Sequence, residues 1–233
     1  MRHQRWQAGC VRAFTAPANL LAFASSLRGL LEASQDAYYS LSPVPKLLAE
    51  HRIGITSALK GEQEQFGIAQ ELEDRLIHFI YGRKVGKDER EMTPSSHIAL
   101  DPKEYRNAIG LPDDKREGFR QLYDDLCGIS HPTAFSMTFL WEQENGTIQI
   151  NSGQDDASIR ELCHKCEETI SLALSLSVTM SALCLKALNW FSVPEVRTPE
   201  IERWDFDDVP AWRKAQAAAW RNVVAGGPPF RRQ

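Results

Sequence analysis

Apolar side chains recur at three- and four-residue intervals along most of this chain, and that spacing limits the folds open to it. Between Leu20 and Leu41 the apolar positions line one side of a helix: Leu20, Phe23, Ala24, Leu27, Leu31, Tyr38 and Leu41. An amphipathic helix must bury such a stripe against another element. Pro43 and Pro45 then end the helix, because proline lacks the amide hydrogen that a helix needs.

The same spacing, together with capping residues, predicts further helices. Asp101 and Glu104 form a capping box with Pro102 at the first helical position. The predicted helices run from Lys46 to Leu59, Glu62 to Tyr81, Asp101 to Gly110, Asp114 to His131 and Ser158 to Phe191. Residues 82–100 predict a surface loop, and a short alanine-rich helix is expected near the C-terminus. We therefore predict an all-α helical bundle.

One stretch has the two-residue period of a β-strand instead. Four apolar residues alternate with mostly polar neighbours: Phe135, Met137, Phe139 and Trp141. The Asn145-Gly146 pair is a strong signal for a tight hairpin turn, because both residues tolerate positive φ. A two-residue turn pairs Trp141 with Ile150, which puts the apolar residues of both arms on one face. The same turn pairs Gln143 with Ile148. We expect one β-hairpin, inserted near residues 135–150.

Length and charge give the outline of the molecule. The chain has 233 residues, of which 42% are hydrophobic, so it is long enough for a sizeable core. We predict a bundle domain over residues 1–192, and then an acidic and aromatic segment, a short helix and a flexible tail over 193–233. The net charge of −4 argues against a general nucleic-acid coat, which needs a basic surface, but leaves room for a local basic groove.

Cysteine usage and hydropathy indicate the compartment. The five cysteines are odd in number and irregular in spacing, which favours reduced thiols in the cytoplasm over a secreted disulfide framework. Arg12 interrupts the apolar run that a signal peptide would need. The uncharged stretch from Thr169 to Leu185 is shorter than the ~20 apolar residues of a membrane span. We expect it to be a buried helix, and we expect no stable membrane association.

Cys163 and Cys166 have the spacing of half a zinc site. A structural zinc ion needs four ligands, usually from two such knuckles on turns. Here the pair lies within a predicted helix, and the sequence has no second CxxC. It also has no phosphate-binding glycine loop, no GxSxG and no HExxH. We therefore predict no metal and no cofactor.

A polar stripe in the segment LYDDLCGISHP is the most informative feature for chemistry. Arg120, Asp124, Cys127 and His131 are spaced four, three and four apart, so they share one flank of a helix. Pro132 disfavours helix at the residue before it, so His131 should mark the helix end. The stripe is either a solvated flank or a working site. If it works, His131 should be partly buried, within reach of Arg28, Glu32 or His78.

Two other helices carry polar pairs at four-residue spacing. Arg28 and Glu32 border an apolar face, where they form either a surface ion pair or a partly buried pair that orients a neighbour. Glu71 with Arg75, and Asp74 with His78, lie opposite the apolar face of the helix that ends at Tyr81, so a solvated face is expected there.

Three segments carry a family resemblance: SLRGLLEASQDAYYSL, QELEDRLIHFIYGRK and LYDDLCGISHP. Over residues 20–192 the chain resembles uncharacterised bacterial helical-bundle proteins related to the HEPN superfamily, with their "LxRxLLE"-like first helix and "YxxLCxxxHP"-like helix end. Many HEPN proteins are ribonucleases or toxins of defence and toxin–antitoxin systems, and others are inactive partners.

The resemblance implies a defence- or stress-associated protein that binds or cleaves RNA. Active members place an arginine and a histidine four to six residues apart, whereas ten residues separate Arg120 from His131. A nuclease of this kind would be metal-independent, with His131 as acid or base, Arg120 as phosphate clamp and Asp124 as the orienting group. The alternative is a non-catalytic protein–protein interaction module, whose hairpin and aromatic C-terminal segment dock a protein partner or a second copy.

Overall fold

The computed structural model describes residues 2–15, 17–62, 69–131, 141–144, 147–150, 154–191 and 193–224, with the backbone alone for 141–144, 147–150 and 222–224. These residues are predominantly helical, so the predicted all-α class is confirmed. They form two compact units, each built from two stretches of chain. Unit 1 comprises residues 1–36 and 102–177, and unit 2 comprises residues 37–101 and 178–233.

The described helices, in chain order, follow the predicted ones in part, because Arg2–Thr15 and Lys87–Arg90 were not predicted. They are α1 (Arg2–Thr15), α2 (Leu20–Leu41), α3 (Val44–Glu50), α4 (Arg52–Leu59), α5 (Gln70–Tyr81), α6 (Lys87–Arg90), α7 (Pro102–Ala108), α8 (Asp113–Ser130), α9 (Gln154–Lys165), α10 (Glu167–Leu188), α11 (Pro199–Glu202) and α12 (Pro210–Val224). Short 3₁₀ turns lie at Ser95–His97 and Pro194–Val196. The helix α2 covers the predicted apolar stripe from Leu20 to Leu41.

Unit 1 is organised around α8. Its buried residues, at three- and four-residue spacing, are Phe119, Leu122, Leu126 and Ile129. At the start of α2, Asn19 accepts a hydrogen bond from the amide of Ala22 and acts as its N-cap. The helices α7 and α8 contact one another, and this contact brings side chains of both helices to one site.

Two short strands, β1 (Trp141–Glu144) and β2 (Thr147–Ile150), form an antiparallel pair. Their register pairs Trp141 with Ile150 and Gln143 with Ile148. The predicted turn residues Asn145 and Gly146, and the residues from 132 to 140 that include Phe135, Met137 and Phe139, lie outside the described residues. The inserted hairpin, with an apolar face against the helices, therefore stays a prediction.

The core of unit 2 combines α3 with the C-terminal helices. Trp212 of α12 is buried, and its ring stacks on Trp190 with 5.3 Å between centroids. Phe206 packs in the same cluster, and α12 runs along α3. The boundary predicted at residue 193 therefore does not coincide with the division into units, because the aromatic segment after it joins the core of residues 37–101.

Two predicted helices are interrupted. The helix predicted from Lys46 to Leu59 divides at His51, which leaves the helical conformation (φ −97°, ψ 10°). The helix predicted from Ser158 to Phe191 divides at Cys166 into α9 and α10. Helical hydrogen bonds continue across that point, because the amide of Cys166 donates to the carbonyl of Leu162 and the amide of Ile170 donates to the carbonyl of Cys166. The second division is therefore a local irregularity between two consecutive helices.

The apolar face of α5 is buried only in part. Leu72 and Phe79 pack against the core cluster of unit 2, whereas Leu76 and Ile80 are exposed. His78, which was expected on a solvated face, is buried. His78 packs edge-on against the ring of Tyr39, with 5.1 Å between centroids. The aromatic contact turns the polar side of the helix inward, which the apolar spacing alone does not predict.

The helix α10 is long and apolar enough to cross a membrane by length and composition. The core helix of a soluble protein has the same length and composition, so one such helix does not by itself indicate a membrane span. Within unit 2, Met180, Leu183 and Ala187 of this helix are buried in the core cluster.

Candidate functional site

The helix α8 ends where the sequence predicts. His131 is the C-cap, with extended backbone (φ −90°, ψ 146°), and its amide donates to the carbonyl of Cys127. Extended backbone is what the residue before a proline prefers. The predicted end of the helix is confirmed.

The predicted site residue His131 is exposed to solvent, contrary to the expectation of a partly buried side chain. Among the residues that the structure describes, neither Arg28 nor Glu32 contacts the imidazole, and His78 lies in the other unit. Eleven residues along a helix correspond to roughly 16 Å. Arg120 and His131 of one chain are therefore too far apart to act on the same atom.

Arg120 and Asp124 do come together, in an exposed ion pair of 2.7 Å. Arg120 Nε also donates to Glu117 Oε2 at 2.8 Å. Hydrogen bonds from Arg120 and then from Gln121 lower the pKa of Glu117 to about 2. Two carboxylates thus offset one guanidinium, which leaves it poorly placed to attract a phosphate.

A second polar group, which we call the Tyr123 cluster, comprises Arg28, Glu32, Arg106 and Tyr123 of unit 1. Glu32 Oε1 accepts hydrogen bonds from the Tyr123 hydroxyl at 3.0 Å and from Arg28 Nε at 3.3 Å. The Arg28 guanidinium lies 5.5 Å from the centroid of the Tyr123 ring, within the range of a cation–π contact. Of the two interpretations of the Arg28–Glu32 pair, the partly buried pair that orients a neighbour fits this geometry.

Partial burial and neighbouring charges shift the pKa values of Tyr123 and Arg28. Burial, and then the Glu32 carboxylate, raise the pKa of Tyr123 to about 12, so the phenol is neutral and donates its proton to Glu32. Burial by itself lowers the pKa of Arg28, but the interactions with Tyr123, Cys127 and Glu32 raise it by more, so the pKa lies above its ordinary value. Arg28 therefore remains a cation.

Arg106 of α7 brings a second guanidinium to the same ring. It lies 5.7 Å from the Tyr123 centroid, so two cations are within about 6 Å of one aromatic ring. Arg106 Nη1 is buried and makes no hydrogen bond within the described part of the chain. The cluster can consequently present two cations and an aromatic ring to a ligand.

The residues of α5 form a packing cluster in unit 2. The Arg75 guanidinium lies 4.5 Å from the Tyr39 ring centroid, and Nη1 donates to the Tyr39 carbonyl oxygen at 3.4 Å. The predicted partner Glu71 is 4.0 Å from Arg75. Arg75 and His78 thus hold α5 against Tyr39.

Cys163 and Cys166 are free thiols of intermediate burial. Burial, and then the neighbouring Cys166 thiol, raise the pKa of Cys163, and burial also raises the pKa of Cys166. Across the ranges described above, no three His, Cys, Asp or Glu side chains gather as a metal site.

Sequence reasoning missed Tyr123 and Arg106. The signal for Tyr123 was present, because it lies four residues before Cys127 in the segment that carries the resemblance. Arg106 gave no signal, because only the contact of α7 with α8 brings it to the ring.

Comparison with known proteins gives no match to a protein-family model, to a curated protein or to a solved structure.

Proposed function

We propose that this protein is a HEPN-like, defence- or stress-associated protein of the cytoplasm, and that it binds RNA along the flank of α8. The observation that carries the proposal is the contact of the Arg28 guanidinium of α2 with the ring of Tyr123. Tyr123 lies on α8, the helix that ends at the exposed His131. An aromatic ring stacks on unpaired bases of RNA, and a guanidinium binds phosphate. Single-stranded RNA is therefore the expected form.

A chain with a net charge of −4 needs a local positive site to hold RNA. The Tyr123 cluster holds two arginines against one glutamate, so it carries a net positive charge. Arg120, by contrast, is offset by Glu117 and Asp124. Binding through the cluster is favoured over binding through Arg120 alone.

If the protein is an enzyme, His131 is the proposed acid or base for RNA cleavage. Its imidazole is exposed at the end of a rigid helix, which suits a group that moves a proton to or from a 2′-hydroxyl. The reaction would be metal-independent. Arg120 lies roughly 16 Å along the helix from His131, so it would clamp a phosphate farther along the RNA, with Asp124 as its orienting carboxylate. Arg120 must then exchange a carboxylate for that phosphate.

Binding is tested by titrating labelled single-stranded RNA with the full chain, with Arg28→Gln and with Arg116→Gln. Arg116 lies on α8, pairs with Asp113 and is outside the cluster, so it serves as the matched control. Loss of one charge-assisted contact costs about 1.5–3 kcal/mol, or roughly ten- to a hundredfold in affinity. Equal weakening by both variants would mean non-specific charge attraction and would contradict the proposed site.

Cleavage is tested by incubating total RNA with the wild-type chain and with His131→Ala. General acid–base catalysis contributes about 10²–10⁴-fold, so a nuclease should lose nearly all activity in a variant that is still folded. Full activity of folded His131→Ala would end the catalytic assignment.

The second candidate function is a non-catalytic protein–protein interaction module. The observation that favours it is a set of exposed apolar side chains in unit 2, with Met92 82% and Ile80 and Tyr81 each 63% exposed. A surface that a partner covers is typically a contiguous patch of such side chains. Failure of RNA binding in the titration above would place this candidate first.

We also retain the inserted β-hairpin as part of the proposal. The antiparallel backbone pairing of residues 141–144 with 147–150 supports it. Replacing Gly146 with valine should destabilise the turn, because a β-branched residue resists positive φ.

A further inference from the structure

Arg106 is a partly buried cation whose charge lacks a carboxylate partner among the described residues. It lies on α7 between two buried residues, Tyr105 and Ile109. Its Nη1 is buried and makes no hydrogen bond to any described residue. A buried guanidinium N–H that gives up water without gaining an acceptor costs free energy. A ligand that supplied an acceptor to this guanidinium would recover that cost.

The acidic side chains nearby are already engaged. Glu32 accepts from Arg28 and from Tyr123. Asp36 pairs with Arg2 at 2.9 Å and accepts from the Tyr105 hydroxyl at 3.3 Å. With Arg28 and Arg106 set against Glu32 alone, the Tyr123 cluster carries one net positive charge.

We infer that the Tyr123 cluster is a binding site for a phosphate group, with Arg106 as its principal ligand and Arg28 as the second cation. A guanidinium presents a planar fork of donors that matches phosphate oxygens, and two guanidiniums near one ring suit a doubly charged anion. The inference deepens the proposed function and rests on it in one respect, because RNA is the proposed source of the phosphate. A small phosphorylated molecule would supply the same chemistry.

The test is a calorimetric titration of the full chain with inorganic phosphate, at an ionic strength held constant with chloride. Wild-type protein should bind phosphate saturably and should melt at a higher temperature in its presence. Arg106→Gln should lose about ten- to a hundredfold in phosphate affinity, which corresponds to one charge-assisted contact. Arg116→Gln, the matched control on α8, should bind as the wild type does.

Stability without phosphate separates a ligand-binding role from a structural one. If Arg106 serves a ligand, Arg106→Gln should melt at or above the wild-type temperature, because it removes an uncompensated charge. A lower melting temperature, or failure to fold, would show that Arg106 is structural and would overturn the inference. Absence of phosphate binding by the wild type would overturn it as well.

Two oligoribonucleotides of one sequence, with and without a 5′-phosphate, then identify the source. Tighter binding of the phosphorylated one, lost in Arg106→Gln, assigns the site to an RNA end, whereas equal and Arg106-dependent binding assigns it to the RNA backbone. If inorganic phosphate binds through Arg106 but neither RNA does, the phosphate site stands and the proposed RNA function fails. If RNA binds equally well to wild type and Arg106→Gln, the RNA function stands and the phosphate site falls.

Discussion

Tyr123 makes two kinds of contact at once. Its hydroxyl donates to Glu32, while its ring lies within 6 Å of the guanidiniums of Arg28 and Arg106. The hydrogen bond fixes the ring orientation, and the ring in turn keeps two like charges near one point. Burial, and then the Glu32 carboxylate, raise the pKa of the Tyr123 phenol, while Arg28 opposes the shift. The titration of this phenol can be measured directly.

Glu32→Gln should lower the pKa of Tyr123 from about 12 towards the ordinary value of 10.0. Burial remains in that variant, but the carboxylate that opposes the phenolate is removed. Phenolate absorbance against pH measures the change, with Tyr123→Phe identifying this tyrosine among the five in the chain. An unchanged titration in Glu32→Gln would show that burial alone sets the pKa.

The same shift has a consequence for stability with a definite sign. The folded chain holds the Tyr123 proton more tightly than the unfolded chain does. Its contribution is therefore fully present below pH 10 and is lost as the pH rises towards 12. The stability of Tyr123→Phe should fall less over that range than the wild type, as measured by denaturant unfolding at several pH values.

At the scale of elements, local pattern predicted the helices and tertiary contact decided their faces. The α2 stripe and the end of α8 at His131 follow from apolar spacing and from the restriction before proline, both of which are local. The buried side of α5 follows instead from the contact of His78 with Tyr39. The site divides in the same way, because the Arg28–Glu32 pair is local while Arg106 reaches Tyr123 only through the contact of α7 with α8.

The close approach of α1 to α2 depends on a glycine. A Cβ atom added at Gly29 would lie 2.5 Å from two ring atoms of Trp6. Gly29→Ala should therefore destabilise unit 1, and overpacking of this kind costs about 1–3 kcal/mol. Denaturant unfolding measures the loss, with Gly86→Ala as the control, since its added Cβ meets nothing within 4 Å. Equal stability of the two variants would contradict the packing of Trp6 on α2.

Two tryptophans of α12 provide a matched pair in unit 2. Trp212 is 4% exposed and Trp220 is 54% exposed. Trp212→Ala should cost about 3–5 kcal/mol in the free energy of unfolding, because it removes a buried ring from the core. Trp220→Ala should change it by no more than about 0.5 kcal/mol, as is usual for surface positions. Similar losses in the two variants would mean that α12 does not anchor through Trp212.

At the scale of the whole molecule, each unit is assembled from two distant stretches of chain. Residues 37–101 form a core with residues after 178, which include Phe206 and Trp212 of the C-terminal segment. Apolar spacing indicates that a helix has a buried face, but it carries no information on which helices meet. For this reason the predicted boundary at residue 193 does not follow the division into units.

The central claim is that the molecule, despite a net charge of −4, binds RNA at the Tyr123 cluster. Ultraviolet crosslinking of the full chain to single-stranded RNA, followed by mass spectrometry of the crosslinked peptides, tests it most directly. We expect the nucleotide to be attached at or beside Tyr123, and we expect Tyr123→Ala to bind RNA about 1–3 kcal/mol more weakly, the usual contribution of one stacked base. Crosslinks confined to unit 2, or no crosslink at RNA concentrations that saturate binding, would contradict the account.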